Sequence, residues 1–498
     1  MGEKAFLGRF VLGFPLFTIL LLLFFIRALE FKEKLFIYDY IRGLTMKISN
    51  SSLSIRSKMT LILDTGQLMM ESGAGSKRIV RDMLRTAACL GIYWEDVQIH
   101  ITYSTIMINV DDGEKAYTMF RKCYRHGINM TALLQTSEAS WEALYKNESY
   151  DNFRLRLNYI RQNFRNRIYP EWMVILAIGL ASAAFCLIFG GHAVDALFTM
   201  LAAMVGALVK YVCNRLEVNG YVTIAISAFF ATLTAYGTMY LPGATNPFLP
   251  VVASALTLIP GVPLINGVDD FLNSYLTSGM TRFTHTVLIM LAMTFGIAGA
   301  VSLTNVPSFT EVPIAPEHLY IMQALAAAMA ALGFSIMFNV PRRYIIAACL
   351  GAVLTVDTRN ILMVSFHMGM ASASFLGAAL LSVFYFALSR YFHAPVFVVT
   401  IPAIIPLIPG VLLYRFLFAI IDIGQIDLIE LLTAFKTGVE AMLIILGLSL
   451  GATLPDAIAH QYIERSKRKN LEKLLKRRDG IEADIRKAAD LDKASGRG

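Results

Sequence analysis

Two short motifs, 149 residues apart, constrain this chain more than any other feature. LTLIPGVPLING at 256–267 and IPLIPGVLLYRF at 405–416 each place a proline–glycine pair inside an apolar run long enough to cross a bilayer. Lipid offers no hydrogen bonds to the backbone groups that such a break frees, so a broken helix is tolerated only where protein or a wet cavity surrounds it. Paired breaks in corresponding halves of a chain point to a transporter's binding site.

Composition and charge are those of a membrane protein. Of the 498 residues, 56% are apolar and 16% are charged, and a mean hydropathy of +0.57 is too high for a soluble protein of this size. Charges concentrate in 27–170 and 460–498, which predicts a soluble region, a polytopic membrane domain and a charged tail. The net charge of +8 is explained by positive cytoplasmic loops, and no basic patch with interleaved aromatic residues indicates a nucleic-acid partner.

Cofactor and enzyme signals are absent from the sequence. The five cysteines are scattered without a CxxC pair, and the histidines lack metal-ligand spacing, so we predict no metal site. ESGAGSKR at 71–78 lacks the spacing of a phosphate-binding loop and is interpreted as a turn between helices, with Ser76 as an N-cap. No HExxH motif is present. We therefore predict a protein that is not an enzyme and needs no cofactor.

The first part of the chain divides into two segments. Residues 1–45 contain an apolar run at 10–26, which is either a membrane helix or the product of a start codon chosen too far upstream. Residues 58–168 are predicted to form a small α/β domain, with two helices, three strands (VQIHI, STIMINV and KAYTMF) and two further helices. Its last helix is strongly basic, which predicts that the domain lies on the cytoplasmic side of the inner (plasma) membrane.

Ten apolar segments follow, and they divide into two units of five. The ungapped offset of 149 also relates Phe185–Phe189 to Phe334–Phe338 and Lys210 to Arg359. Because five is odd, the units 171–304 and 317–455 are predicted to enter the membrane in opposite directions, as an inverted repeat. Residues 460–498 are predicted to be a basic cytoplasmic tail that contacts membrane lipid. The segments are 171–190, 193–213, 220–241, 247–268, 283–304, 317–339, 342–358, 361–389, 395–420 and 430–455.

Polar residues beside the first break are candidates for the substrate site. Helix geometry is expected to lapse around Pro260 and Gly261, which frees carbonyls and exposes the N–H groups of the next half-helix. One interpretation is that nearby side chains bind a substrate ammonium or carry a proton. The other is a proline kink whose aspartates cap the helix end. The side chains are Thr257, Asn266, Asp269 and Asp270.

The second break is followed by a positively charged residue, whereas the first is followed by aspartates. After Pro409 and Gly410 come Tyr414 and Arg415, and an arginine deep in an apolar stretch is costly and by default functional. Arg415 is expected to bind a substrate carboxylate, or else to reach the membrane surface or pair with Asp422. Asp270 and Arg415 together would suit the two charged ends of an amino acid. Other intramembrane candidates for gating or ion coupling are Asp195, Lys210, Asp357, Arg359 in a predicted outer turn, and Glu440.

Four motifs give the chain a family resemblance. GQLMMESGAGSKRIVRDMLRTAACLGI at 66–92 and LIPGVPLINGVDDFL at 258–272 resemble the N-terminal module of the threonine/serine exporter family, while LGFSIMFNVPRR at 332–343 and IPLIPGVLLYRF at 405–416 resemble its C-terminal module. In some bacteria such modules are separate proteins, as in a two-component succinate exporter. The resemblance implies a secondary exporter of threonine and serine, or of dicarboxylates, driven by the proton gradient.

Two functional classes are compatible with these observations. The first is a secondary transporter that exports a small polar metabolite with protons as the coupling ion, with the dicarboxylate exporter as its alternative. The second is a membrane sensor or scaffold whose soluble domain is the active part. The oligomeric state is left open by the sequence, including a homo-oligomer.

Overall fold

The computed structural model describes residues 53–453, apart from gaps at 93, 112, 125, 147, 241–247, 305–319, 393–395, 422–423 and 425–426. The apolar run at 10–26 and the basic tail at 460–498 lie outside the described residues. The predictions for those two segments are therefore unchanged.

The described chain begins with four helices and a small sheet, here called the N-terminal domain. The helices are α1 (Ile55–Glu71), α2 (Ser76–Cys89), α3 (Met130–Lys146) and α4 (Tyr150–Gln162), and the strands are β1 (Val97–Ile101), β2 (Thr105–Asp111) and β3 (Ala116–Lys122).

The sheet is antiparallel in the order β1-β2-β3, with Val97 opposite Val110 and Thr105 opposite Lys122. Alternate residues of β2 are buried, as expected of a strand with one face on a core. Helix α1 approaches this face closely at Gly66, where an added Cβ would lie 2.6 Å from Met83 Sδ and 3.0 Å from Ile106 Cδ1.

The remaining described residues form long apolar helices. Six are long and apolar enough to cross a membrane, and two bent pairs raise the number of candidate spans to eight. Two shorter apolar helices, Ile321–Met337 and Met370–Phe386, lie among them. The helices are α5 (Glu171–Ile188), α6 (Ala193–Arg215), α7 (Gly220–Gly237), α8 (Phe248–Ala255), α9 (Gly261–Leu272), α10 (Leu276–Ser302), α11 (Tyr320–Met337), α12 (Ile345–Ser365), α13 (Met370–Phe392), α14 (Val396–Ile404), α15 (Gly410–Ile421) and α16 (Leu428–Thr453).

Helix bounds recur at the offset read from the sequence. Both ends of α5 lie 149 residues before those of α11, and the same holds for α9 and α15. The start of α5 lies beside the end of α11, because the Tyr169 hydroxyl donates to the Val340 carbonyl at 2.7 Å and the Ile168 amide donates to Asn339 Oδ1 at 2.9 Å. The two helices also pack tightly, since a Cβ on Gly333 would lie 2.6 Å from the Ala177 carbonyl oxygen. Helices α5 and α11 therefore run in opposite directions.

One predicted turn is wrong. Residues 357–360 were expected to form a short outer turn, but they lie inside α12, which continues to Ser365. The turn comes later, where His367 adopts a left-handed conformation with φ 51° two residues before Gly369. Asp357 and Arg359 are thus residues of a helix, not of a loop. Charge alone suggested the turn, and no glycine or proline at 357–360 ends the helix.

Candidate functional site

Both predicted breaks are present and have the same construction. A helix passes into a 3₁₀ turn, Leu256–Leu258 or Ile405–Leu407, and a new helix starts after the proline with a bend of 57° or 56°. The glycine amide then donates to the carbonyl two residues earlier, at 2.8 Å for Gly261 and 2.7 Å for Gly410. Because Pro260 and Pro409 have no N–H, the carbonyls of Leu256 and Ile405 accept instead from the amides of Ile259 at 3.1 Å and Ile408 at 3.0 Å.

The two breaks pack against each other through equivalent residues. A Cβ on Gly261 would lie 2.6 Å from Ile408 Cδ1 and 2.9 Å from Ile405 Cδ1. A Cβ on Gly410 would lie 2.6 Å from Ile259 Cδ1 and 3.2 Å from Leu256 Cδ2. The two sets of contacts are related by the offset of 149. Adding 149 to 261 and subtracting it from 408 turns the Gly261–Ile408 contact into the Gly410–Ile259 contact. We call the region formed by 256–261 and 405–410 the meeting point.

Two helix N-termini therefore converge at the meeting point. The first amides of a helix lack intrahelical acceptors, and the helix dipole adds a partial positive charge there. In both α9 and α15 the amide of the fourth residue is satisfied by the proline carbonyl, through Leu264 to Pro260 at 3.1 Å and Leu413 to Pro409 at 3.0 Å. The Gly261 and Gly410 amides already donate and Pro263 has no N–H, so the helix starts attract a negatively charged group mainly through the partial charge of their dipoles.

Polar side chains are few around the meeting point. The Thr257 hydroxyl lies in the first 3₁₀ turn and accepts a hydrogen bond from Ser182 at 3.3 Å. Tyr414, in α15, is buried in an apolar cluster with Ala255 and Met293, and its hydroxyl has no hydrogen-bond partner among the described residues. Arg415 follows it and is half-buried. A buried hydroxyl without a partner is costly, and it is a donor that a ligand can use.

Asp270 has a different environment from the one the sequence suggested. It lies at the far end of α9, about 14 Å along the helix from Gly261. Its Oδ1 accepts from the Ser76 amide at 2.9 Å, and its Oδ2 accepts from the hydroxyls of Ser76 at 2.9 Å and Ser278 at 2.8 Å. Arg282 Nε lies 3.0 Å from the same Oδ2. This fully buried carboxylate is satisfied by protein donors, so it is not placed to pair with Arg415 on one substrate.

Neighbouring residues of α9 also contact the N-terminal domain. Asn266 Nδ2 donates to the Gly73 carbonyl at 2.9 Å, and Asp269 Oδ1 accepts from Asn273 at 2.8 Å. Ser76 was expected to be the N-cap of α2, but it is the first helical residue and Gly75 is the cap, because the Ser76 hydroxyl binds Asp270 instead of its own helix. The aspartates thus belong to the contact between α9 and α2.

The surroundings of this contact are polar and poorly hydrated. The Arg282 guanidinium lies 5.4 Å from the centre of the Tyr103 ring. Burial raises the pKa of Tyr103 to about 12. Burial also raises the pKa of Tyr275, and the negative charges of Asp270 and Asp269 raise it further. Both phenols are therefore neutral at physiological pH, and Arg282 remains the charge partner of Asp270.

The other intramembrane candidates lie in separate places. Asp195 is buried and its carboxylate accepts from the His192 amide at 3.1 Å, so it stabilises the start of α6. Lys210 is half-buried within α6, and Glu440 is exposed on α16.

In α12, Asp357 Oδ1 is buried and has no hydrogen-bond partner among the described residues. Arg359 Nε and Nη2 each lie 3.3 Å from Asn360 Oδ1, and Asn360 Nδ2 donates to Gln323. This is a second polar cluster, within the second unit. Among the described residues, no group of three or more His, Cys, Asp or Glu side chains could hold a metal ion.

The sequence did not predict that Ser76, Ser278 and Arg282 contact Asp270. Ser76 was predicted only as the N-cap of a helix. Arg282 follows the two aspartates closely in the sequence. It comes 12 residues after Asp270, in the next helix, and this spacing was only a weak indication that the two side chains pair. The contact with Ser76 joins residues 194 positions apart, and no local pattern predicts it.

Family models match nearly all of the helices that form these contacts. The model described as "Putative threonine/serine exporter" matches residues 60–304, and the model described as "Threonine/Serine exporter, ThrE" matches residues 323–458. The chain belongs to the threonine/serine exporter family. It therefore carries both modules of this transporter family in one polypeptide, and it is a multi-pass membrane protein.

Three curated relatives show how the similarity is distributed. The chain is 27% identical over 250 residues to "Probable succinate transporter subunit YjjP" of Klebsiella aerogenes, covering 50% of this chain and 94% of the relative. The protein of the same name from Escherichia coli is 26% identical over 50% of this chain and 95% of its own length. "Probable threonine/serine exporter" of Mycobacterium tuberculosis is 21% identical over 77% of this chain and 74% of the relative. No solved structure matches the chain.

Proposed function

We propose that this chain is a secondary active exporter of small amino acids of the threonine and serine type, and that the substrate binds where the two broken helices meet. The observation that carries the proposal is the reciprocal packing of the two breaks. It brings two helix N-termini to one place in the interior of an apolar helix bundle, where any bound polar group must be matched by protein.

The substrate carboxylate is the group that this site would hold. Helix N-termini bind anions, and the unpartnered hydroxyl of Tyr414 is a further donor. The Thr257 and Ser182 hydroxyls are suited to the side-chain hydroxyl that threonine and serine share. Arg415, five residues beyond Gly410, is proposed to attract the anion to the site.

A dicarboxylate exporter is the second candidate. Two converging N-termini supply two places for negative charge, which a four-carbon diacid would fill more fully than an amino acid. Two of the relatives are named as succinate transporter subunits, which supports the same alternative. A membrane sensor or scaffold is the third interpretation, and it predicts no movement of either substrate.

Proton coupling is proposed to involve the polar cluster of α12. The buried Asp357 oxygen lacks a donor among the described residues, and an unpartnered carboxylate in such surroundings is stabilised by taking up a proton. Lys210, Arg359 and Glu440 remain proposed gating or coupling residues. We also propose ten membrane helices in two inverted units, and an N-terminal domain and tail on the cytoplasmic side of the inner membrane.

The function is tested by efflux from proteoliposomes loaded with labelled serine, threonine or succinate. We expect serine and threonine to leave when a proton gradient is imposed, and to leave more slowly when an ionophore collapses it. Efflux of succinate alone would establish the second candidate. Efflux of none of the three by folded protein would contradict both export proposals and favour the sensor.

Tyr414→Phe tests the proposed site directly. We expect the KM for the exported substrate to rise about tenfold or more, because a hydrogen bond to a charged group is worth roughly 1.5–3 kcal/mol. The fold should be unaffected, since the hydroxyl has no partner among the described residues. Tyr236→Phe, which removes an exposed hydroxyl paired with Tyr240, is the control and should leave transport unchanged. An unchanged KM in Tyr414→Phe would exclude the hydroxyl from the site.

A further inference from the structure

Two of the contacts between the N-terminal domain and the membrane helices differ in character. The first, here called the latch, joins Gly73–Ser76 to Asn266 and Asp270 of α9 and Arg282 of α10. The second, here called the anchor, joins 129–131 and 167–169 to the turn at 337–340. The latch is on the first five-helix unit and the anchor is on the second.

The anchor is built to stay closed. Main-chain bonds run from the Met130 amide to the Phe338 carbonyl at 2.9 Å and from the Thr131 amide to the Asn339 carbonyl at 3.2 Å. Val340 is fully buried in the same hydrophobic cluster that contains Met130. Helix α11, which carries this turn, packs tightly on α5 without a break. Opening the anchor would expose apolar surface as well as main-chain groups.

The latch is made of polar groups whose hydrogen bonds can be exchanged for hydrogen bonds to water. Its contacts across the interface are polar. Asn266 Nδ2 donates to the Gly73 carbonyl at 2.9 Å, Arg282 Nη2 donates to the Ala74 carbonyl at 3.0 Å, and Ser76 donates to Asp270, while the Arg282 guanidinium lies 5.4 Å from the centre of the Tyr103 ring. Exchanging such a bond for one to water changes the free energy little.

The charges of the latch also allow it to open. Asp270 and Arg282 both belong to the membrane helices, and Ser278 binds the same carboxylate from that side. Opening the latch therefore leaves Asp270 and Arg282 together, so neither of these two charges is left without its partner.

Helix α9 is the element that the latch restrains. It has 12 residues, it is joined to α8 through a 57° break, and the latch holds its far end. Its near end is Gly261, at the meeting point. A rotation about the break would move the latch end and reorient the helix N-terminus at the proposed substrate site.

We infer that Gly73–Ser76 act as a latch on α9 that must open in each transport cycle, while the anchor stays closed. This inference rests on the proposed export function. Ser76, Asn266, Asp270 and Arg282 are then positioning residues: they hold the half-helix and do not touch the substrate.

A reversible crosslink tests the latch. A Cβ on Gly75 would lie 3.9 Å from Asn266 Cγ, and the φ of −73° accepts a side chain, so oxidation of Gly75→Cys/Asn266→Cys is the crosslink to attempt, with disulfide formation checked by thiol titration. We expect oxidation to abolish efflux and reduction to restore it. Efflux by each single-cysteine variant should be the same before and after oxidation. Undiminished efflux by the oxidised pair would overturn the inference.

A matched crosslink tests the anchor. Glu138 of the N-terminal domain and Arg343 beside the anchor form an exposed pair at 3.2 Å. Glu138→Cys/Arg343→Cys, joined by a short bis-methanethiosulfonate that reduction removes, should retain efflux. If this crosslink also abolishes efflux, the whole domain moves and the distinction between latch and anchor is wrong. Efflux by the wild-type protein in the same vesicles tests the export function separately.

Thiol labelling gives an answer that does not depend on the double variant being active. Gly75 is buried in the closed latch, so the thiol of Gly75→Cys should react slowly with an impermeant maleimide at rest. We expect the labelling rate to rise when exported substrate and a proton gradient are supplied. A rate that is the same at rest and during turnover would overturn the inference, whatever the crosslinks show.

Discussion

Arg282→Met will lower the free energy of unfolding by about 3–5 kcal/mol, because it leaves the Asp270 carboxylate buried without its charge partner. Arg282 Nε lies 3.0 Å from Asp270 Oδ2, and both side chains are almost completely buried. Methionine keeps much of the apolar stem but donates no hydrogen bond, so the Ala74 carbonyl also loses its donor. Thermal unfolding of the purified protein in detergent, followed by intrinsic fluorescence, measures the change.

Two further variants separate the charge effect from general disruption. Asp270→Asn/Arg282→Met removes both charges and should be less destabilised than Arg282→Met alone. Arg343→Met removes the cation of the exposed Arg343–Glu138 pair and should cost less than about 1 kcal/mol. Equal melting temperatures for Arg282→Met and the wild type would show that Asp270 does not depend on Arg282.

Gly261→Ala and Gly410→Ala will each reduce efflux about tenfold or more, because displacing groups at a binding site by even 1 Å has effects of that size. Each new Cβ would lie 2.6 Å from an isoleucine Cδ1 of the opposite break. The clash is with the end of a flexible side chain, so the side chain can shift and the fold should persist. The displacement falls at the meeting point, between the two helix starts. Initial efflux rates in proteoliposomes, normalised to folded protein, measure it.

Gly267→Ala is the matched control on the same half-helix. Its Cβ would find its nearest atoms at 3.6 Å, an ordinary contact, and alanine favours a helix over glycine. It should export at the wild-type rate. If Gly261→Ala and Gly267→Ala behave alike, the meeting point is not the transport site. If only one of Gly261→Ala and Gly410→Ala is impaired, the two breaks are not functionally equivalent.

The features that depend on local chemistry were predictable from the sequence. Proline lacks an N–H and glycine tolerates close approach, so Pro260–Gly261 and Pro409–Gly410 predicted both breaks at the correct residues. The offset of 149 could be recognised in the sequence because the matching motifs are separated by the same number of residues throughout. It anticipated the helix bounds of α5 and α11, since the length of an apolar run sets the length of a spanning helix.

Features that depend on distant contacts were not predictable. Asp270 was assigned to a substrate because nothing in the sequence shows that Ser76, 194 positions away, satisfies it. Asp357–Asn360 was assigned to a turn because charged residues are rare inside apolar helices, yet in α12 Arg359 lies beside Asn360, which donates to Gln323 of α11. In both cases the partner comes from another helix, and local propensity carries no information about it.

Phe185 and Phe334 are equivalent positions of the two units, and their rings touch, with centroids 5.8 Å apart and planes at 69°. A residue meets its own counterpart only on or near the axis that relates two copies, as in the isologous interface of a homodimer. In the inverted repeat proposed above, the edge-to-face contact lies where that axis passes through the bundle. The two phenylalanines also depend on each other, because a substitution at one changes the surface against which the other packs. A single chain is therefore under the same constraint as the two subunits of a symmetric dimer, whose shared surface must fit itself.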